Sequence, residues 1–153
     1  ETFGSYAQSS IQTMDRTIKS VPTISPGELL KGNQARVQGD GGAAINSSVG
    51  SLTDWTSPGA WFTWSFKVNE PGEYGVEVSE ATRESEPSEF KLYLAGQTFR
   101  GRSRQTADLE SFTTVKTEGQ VALQPDRIYT LVLKAGDRVQ PRMMDIGGVK
   151  LLK

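Results

Sequence analysis

The sequence predicts an all-β fold, an antiparallel β-sandwich, and three observations carry that prediction. Residues 60–68 alternate strictly: Phe62, Trp64, Phe66 and Val68 share one face, while Trp61, Thr63, Ser65 and Lys67 share the other. That is the pattern of a strand with one side in a core. Asn69-Glu70-Pro71-Gly72 then supplies a turn, after which Tyr74, Val76 and Val78 resume the alternation; proline presets φ and glycine accepts φ > 0. Finally, short alternating runs recur to the C-terminus between Gly- and Pro-bearing connectors, with no strong amphipathic helix among them. A parallel α/β sheet needs such helices, so it is disfavoured.

Residues 1–28 differ from the rest, being rich in Ser, Thr and Gln. Ile11, Met14, Ile18 and Val21 recur at roughly helical spacing, which predicts a short helix around Ser9–Ser20, stopped by Pro22 and Pro26. This segment reads as a linker or docking helix leading in from an upstream domain, and residues 29–153 as the sandwich. Strands are expected near Ala35–Gln38, Ala60–Val68, Glu73–Ser79, Glu89–Ala95, Gln97–Arg100, Phe112–Lys116, Gln120–Leu123, Ile128–Lys134 and Asp145–Leu152. Their inward residues, among them Val37, Leu92, Leu94, Val121, Leu131, Leu133, Ile146 and Leu151, form the expected core, each large side chain contributing roughly 1.5–3 kcal/mol on burial.

Composition narrows the chemistry. At 153 residues the chain suits one domain with a sizeable core. It has no histidine and no cysteine, which removes His-based triads, disulfides and zinc sites built on nitrogen or sulfur. Carboxylates, Lys, Tyr and Ser remain for catalysis, and hard cations such as calcium for metal binding. The net charge of −1 gives no general pull toward nucleic acid, and the apolar stretches are too short to span a bilayer. The first residue is Glu1 and not Met, so an upstream segment is expected.

In order, Trp-x-x-Trp-x-Phe-x-Val from Trp61, Pro-Gly-x-Tyr-x-Val-x-Val from Pro71, Phe-x-Leu-x-Leu from Phe90, Val-x-Leu from Val121 and Met-Asp-Ile-x-x-Val-x-Leu from Met144 form a recognisable series. It resembles the galactose-binding-like jelly-roll sandwich, and within it the family 6 and family 35 carbohydrate-binding modules. Such modules are appended to secreted glycoside hydrolases, α-L-fucosidase-like enzymes among them. The resemblance covers residues 29–153. It implies an accessory, non-catalytic module of a secreted or periplasmic protein, with a glycan and an upstream catalytic domain as partners. It also implies a structural calcium, with Asp145 as an oxygen ligand; Asp40 and Glu80 are the other carboxylates that could join it. Two stretches depart from the family pattern: Leu29–Gln34 lacks the Glu-Ala-Glu-like opening, and Asp108–Phe112 lacks the usual stacking tryptophan.

Sugar binding needs an exposed ring, against which the C–H face of a pyranose packs, and polar side chains for the hydroxyls. Trp55, Trp61, Glu80, Arg83 and Glu84 are the candidate ligand-binding residues, on the loops before residue 60 and after residue 79. The alternative for Trp55 and Trp61 is that they plug the sandwich end or cover a sheet. Tyr93 is a further aromatic out of phase with Leu92 and Leu94. Arg100, Arg102 and Arg104 alternate, as an acidic-glycan surface or as charge protecting an edge strand would. The carboxylates of residues 80–86 and the Asp108/Glu110 pair admit glycoside hydrolysis only with a walled cleft between them. The second reading of the whole chain is a structural domain that packs on its catalytic partner without a ligand of its own.

Overall fold

The computed structural model describes residues 21–153. The helix expected at Ser9–Ser20 lies outside the described residues. Thirteen strands follow in chain order: β1 (Thr23–Ile24), β2 (Leu29–Lys31), β3 (Arg36–Gly39), β4 (Ala44–Asn46), β5 (Ser51–Thr53), β6 (Ala60–Val68), β7 (Gly72–Ala81), β8 (Glu89–Leu94), β9 (Gln97–Arg102), β10 (Thr113–Lys116), β11 (Val121–Leu123), β12 (Tyr129–Ala135) and β13 (Asp145–Leu152). They make two sheets. Sheet 1 has β6, β12, β8 and β9 side by side, with β1 and β3 on the free edge of β6. Sheet 2 has β7 and β13 at its centre, with β10 and β11 against β7, and β2 and the β5–β4 pair against β13. Every pairing is antiparallel except β1 with β6.

The all-β sandwich is therefore as predicted, and its core is the interface between the sheets. Phe62, Trp64 and Phe66 of β6 face Tyr74, Val76 and Val78 of β7, all within 1% of full burial. The two strands do not pair as the hairpin that their sequence suggests: the turn between them carries the chain from sheet 1 to sheet 2, and there the Tyr74 hydroxyl donates to the Glu70 carbonyl at 2.7 Å. The Trp64 indole donates to the Lys31 carbonyl at 2.9 Å, so the ring bridges the sheets without leaving its N–H unpaired.

The boundary expected at residue 28 falls inside the sandwich. Ile24 is 2% exposed and its strand pairs with β6, and the Gly27 amide donates to the Leu151 carbonyl. Two prolines within five residues hide a strand of only two residues from any periodicity argument. In β13 the register slips between Ile146 and Gly148. The bulge lets Ile146, Val149 and Leu151 all face inward although their spacing breaks period two.

Candidate functional site

The loop-end site expected from sequence does not assemble. Trp55 is completely buried. Its ring meets Phe62 edge-on at 4.8 Å between centroids, its indole N–H donates to the Ala60 carbonyl at 3.1 Å, and its own carbonyl accepts from the Met143 amide. It plugs the end of the sandwich and offers no face to a sugar. Glu80 is also fully buried. Strand β7 runs on to Ala81, so Glu80 continues the inward phase of Tyr74, Val76 and Val78. Its Oε1 accepts the Arg104 amide at 2.7 Å, while Oε2 has no partner. Burial pushes its carboxyl up to about 7, against the smaller opposing effect of the Arg104 amide. Of the expected residues that follow, Arg83 is exposed and Glu84 half-buried; the Arg83 carbonyl accepts from the Gln105 side chain.

The residues expected to hold calcium do not fit one. Among the described residues no three carboxylates converge. Asp40 accepts from the Ser57 hydroxyl and the Gly42 amide, tying one loop to another. Asp145, at the start of β13, accepts from the Thr53 hydroxyl at 2.9 Å and has the Arg142 guanidinium 3.7 Å away. The same guanidinium reaches Asp54 at 3.2 Å, and Asp54 adopts a left-handed φ of 54° to meet it. A protein cation thus already stands between the two carboxylates. Burial holds the Asp145 carboxyl above its usual range despite the Thr53 hydrogen bond and Arg142.

What the fold does bring together is the outer face of sheet 1. With Phe62, Trp64 and Phe66 turned inward, Trp61, Thr63, Ser65 and Lys67 must face out. Register extends this face over the neighbouring strands. Arg36 lies opposite Thr63, Thr63 opposite Val132, Val132 opposite Tyr93, and Tyr93 opposite Thr98. One step along, Gln38 lies opposite Trp61, Lys134 opposite Lys91, and Lys91 opposite Arg100. The Lys134 ammonium sits 4.8 Å from the centroid of the Trp61 ring, and this cation–π contact links the two halves of the row. Tyr93 is 37% exposed and Trp61 half-buried. The face therefore presents two aromatic rings among hydroxyls and cations. Of the five ligand-binding residues expected on the loops it contains Trp61 alone, and with it Tyr93, the further aromatic the sequence offered.

Arg100 and Arg102 belong to this face, but Arg104 lies beyond the end of β9 and borders Glu77, Thr114 and Lys116 on the far sheet. Phe112, expected to open a strand, instead lies just before β10. It lies against the outer surface of sheet 2, where a side chain at Gly147 would come within 3.1 Å of its ring. The signal was its neighbour: a glycine at a bulge makes room for a ring to lie on the backbone.

The fold is shared with known carbohydrate-binding modules. A family 35 module from Clostridium thermocellum superposes with a TM-score of 0.65 at 8% identity, over 81% of this chain and 95% of that one. A family 6 module from Clostridium cellulolyticum, solved with xylose, gives 0.62 at 14% identity, over 85% and 100%. A cycloisomaltooligosaccharide glucanotransferase from Paenibacillus, solved with cycloisomaltoheptaose, gives 0.62 at 17% identity; the alignment covers 81% of this chain but spans only 18% of that enzyme. No protein-family model matches the sequence, and neither does any curated protein sequence. At these identities the likeness establishes the sandwich, and the ligand has to be argued from side chains.

Proposed function

We propose that the chain is a non-catalytic carbohydrate-binding module, and that it holds its glycan on the outer face of sheet 1. One observation carries this reading: Trp61 and Tyr93 present rings on the outer surface of one sheet, with Thr63, Thr98 and Gln38 beside them to meet sugar hydroxyls. Rings of this kind give a sugar apolar contact at little cost in side-chain entropy. The likeness in fold to family 35 and family 6 modules supports it. In this reading the parent is a secreted or periplasmic glycoside hydrolase and this domain its targeting device.

The second reading, a structural domain packed on a catalytic partner, is favoured by Ile45 and Val49. Both are exposed by more than 40%, and they lie within the β4–β5 hairpin at the edge of sheet 2, Ile45 on β4 and Val49 in its turn. Calorimetric titration with a panel of soluble neutral and acidic glycans separates the two. A carbohydrate-binding module gives saturable heat with at least one glycan, weakened by Trp61→Ala or Tyr93→Ala without a change in melting temperature. Absence of heat across the whole panel would leave the packing role.

A further inference from the structure

We infer that the ligand of this face is an acidic polysaccharide, a linear chain bearing uronate groups that runs across the strands of sheet 1. The inference rests on the carbohydrate-binding reading above and names the class of glycan. Strands of the face point six cations outward: Arg36, Lys67, Lys91, Arg100, Arg102 and Lys134. Glu89 is the one carboxylate on those strands with the same orientation. This concentration arises in a chain whose net charge is −1, so it is a local feature of one surface.

The arrangement within the patch is more telling than the number. Lys134, Lys91 and Arg100 stand directly opposite one another on three adjacent strands. Like charges in that relation oppose sheet formation, and the relief available is small. Lys91 has Asp137 at 3.8 Å, but that carboxylate is 88% exposed. Arg102 has Glu89 at 3.5 Å. Among the described residues, Arg36, Lys67, Arg100 and Lys134 form no ion pair. Protection of a sheet edge accounts for charge on β9, which is an edge strand, and not for charge on β8 and β12, which are interior.

A bound polyanion supplies what the row lacks. Neighbouring strands are about 4.8 Å apart, comparable to the length of one sugar residue along a chain. Successive anionic sugars laid across β12, β8 and β9 would each meet a cation. Guanidinium groups bind carboxylate and sulfate through paired N–H donors. Beside the row, toward the ends of β12 and β9, lies an open cleft of about 370 Å³ lined by Glu89, Lys91, Arg100, Arg102 and Asp137, so two of the row's cations also reach it. The two rings stand among hydroxyl side chains on an open sheet face, where splayed bases would find no pocket for their edges, and this favours a sugar polymer over nucleic acid.

The test is titration of the purified chain with polygalacturonate, fully methyl-esterified polygalacturonate, neutral galactan and duplex DNA, at low and high salt. Polygalacturonate should bind, its methyl ester and galactan much more weakly, and affinity should fall with salt. The double variant Lys91→Glu, Arg100→Glu should lose roughly tenfold or more, and the milder Lys91→Gln, Arg100→Gln a smaller part, with melting temperatures not lowered. Equal binding of galactan and polygalacturonate, unchanged in both variants, would overturn the acidic class and leave the carbohydrate reading standing. Binding of DNA as tight as polygalacturonate would overturn it by showing a general polyanion surface. Binding of none of the four would overturn the inference, while heat with some other glycan would still uphold the broader reading.

Discussion

The two outer faces of this sandwich treat charge in opposite ways. On sheet 2, Lys150 of β13 and Lys116 of β10 both lie directly opposite Glu77 of β7, and Lys116 reaches that carboxylate at 3.9 Å. Cation, anion and cation alternate across three strands, so each cation has the anion beside it. On sheet 1 the equivalent row of Lys134, Lys91 and Arg100 is cation throughout. Both sheets share one core and one solvent, so the difference does not come from folding requirements. A surface that retains unfavourable neighbours on interior strands is spending stability on something outside the fold.

The comparison is first tested where charge is sealed between the faces. Glu80 has an ordinary pKa of 4.5 and a folded value of about 7. Between those values the unfolded chain has released its proton while the folded one keeps it, so stability is full below about 4.5 and falls as pH rises toward 7. The loss on this account is roughly 3 kcal/mol, seen as a lower urea midpoint at pH 8 than at pH 5. Asp145, also raised, acts in the same direction, whereas Asp108, lowered by the Glu110 amide, acts in the opposite one at more acid pH. Glu80→Gln should flatten most of the slope; an unchanged slope would mean that interior charge matters no more than surface charge.

The next effect lies at Arg142, where the protein supplies its own cation. Arg142→Ala leaves Asp145 buried beside Asp54 without a counter-ion and should cost about 1–3 kcal/mol. A chelator should leave the wild-type melting temperature unchanged. A chelator-dependent melting temperature would show that a metal, and not the guanidinium, balances these carboxylates.

The smallest effects concern the two rows themselves, and they should run in opposite directions. Lys91→Gln removes a like-charged neighbour and should raise stability by about 0.2–1 kcal/mol while weakening glycan binding. Glu77→Lys converts the sheet 2 row to cations throughout and should lower stability by a similar amount. Denaturant melts at low salt resolve both changes. If Lys91→Gln destabilises the protein, the cationic row is a structural feature and the contrast between the faces loses its meaning.

Much of the fold was legible in the sequence because period two is a local property. The alternation in β6 and β7 sets which side chains point inward whatever the neighbouring strands are, and the bounds of β6 and β13 agree with those expected. Short strands were not legible. β1, β2, β4 and β5 have two or three residues each, too few to show a period, and they exist because longer strands offer them an edge. Glu80 was misplaced in a loop for a related reason: a charged residue ends an apolar pattern to the eye, although its phase continued inward.

The site was less legible than the fold. The sequence by itself determined that Trp61 and Tyr93 lie out of phase with the core, that arginine alternates in the segment that became β9, and that His- and Cys-based chemistry is absent. Only the tertiary structure decided that Trp61, Lys134, Lys91 and Arg100, from segments as far apart as residues 61 and 134, form one row, and that Trp55 serves the interior. The physical reason is register. Which residues stand opposite each other depends on strand order and on long-range backbone hydrogen bonds, and a shift of one residue would turn the whole surface to the other side of the sheet.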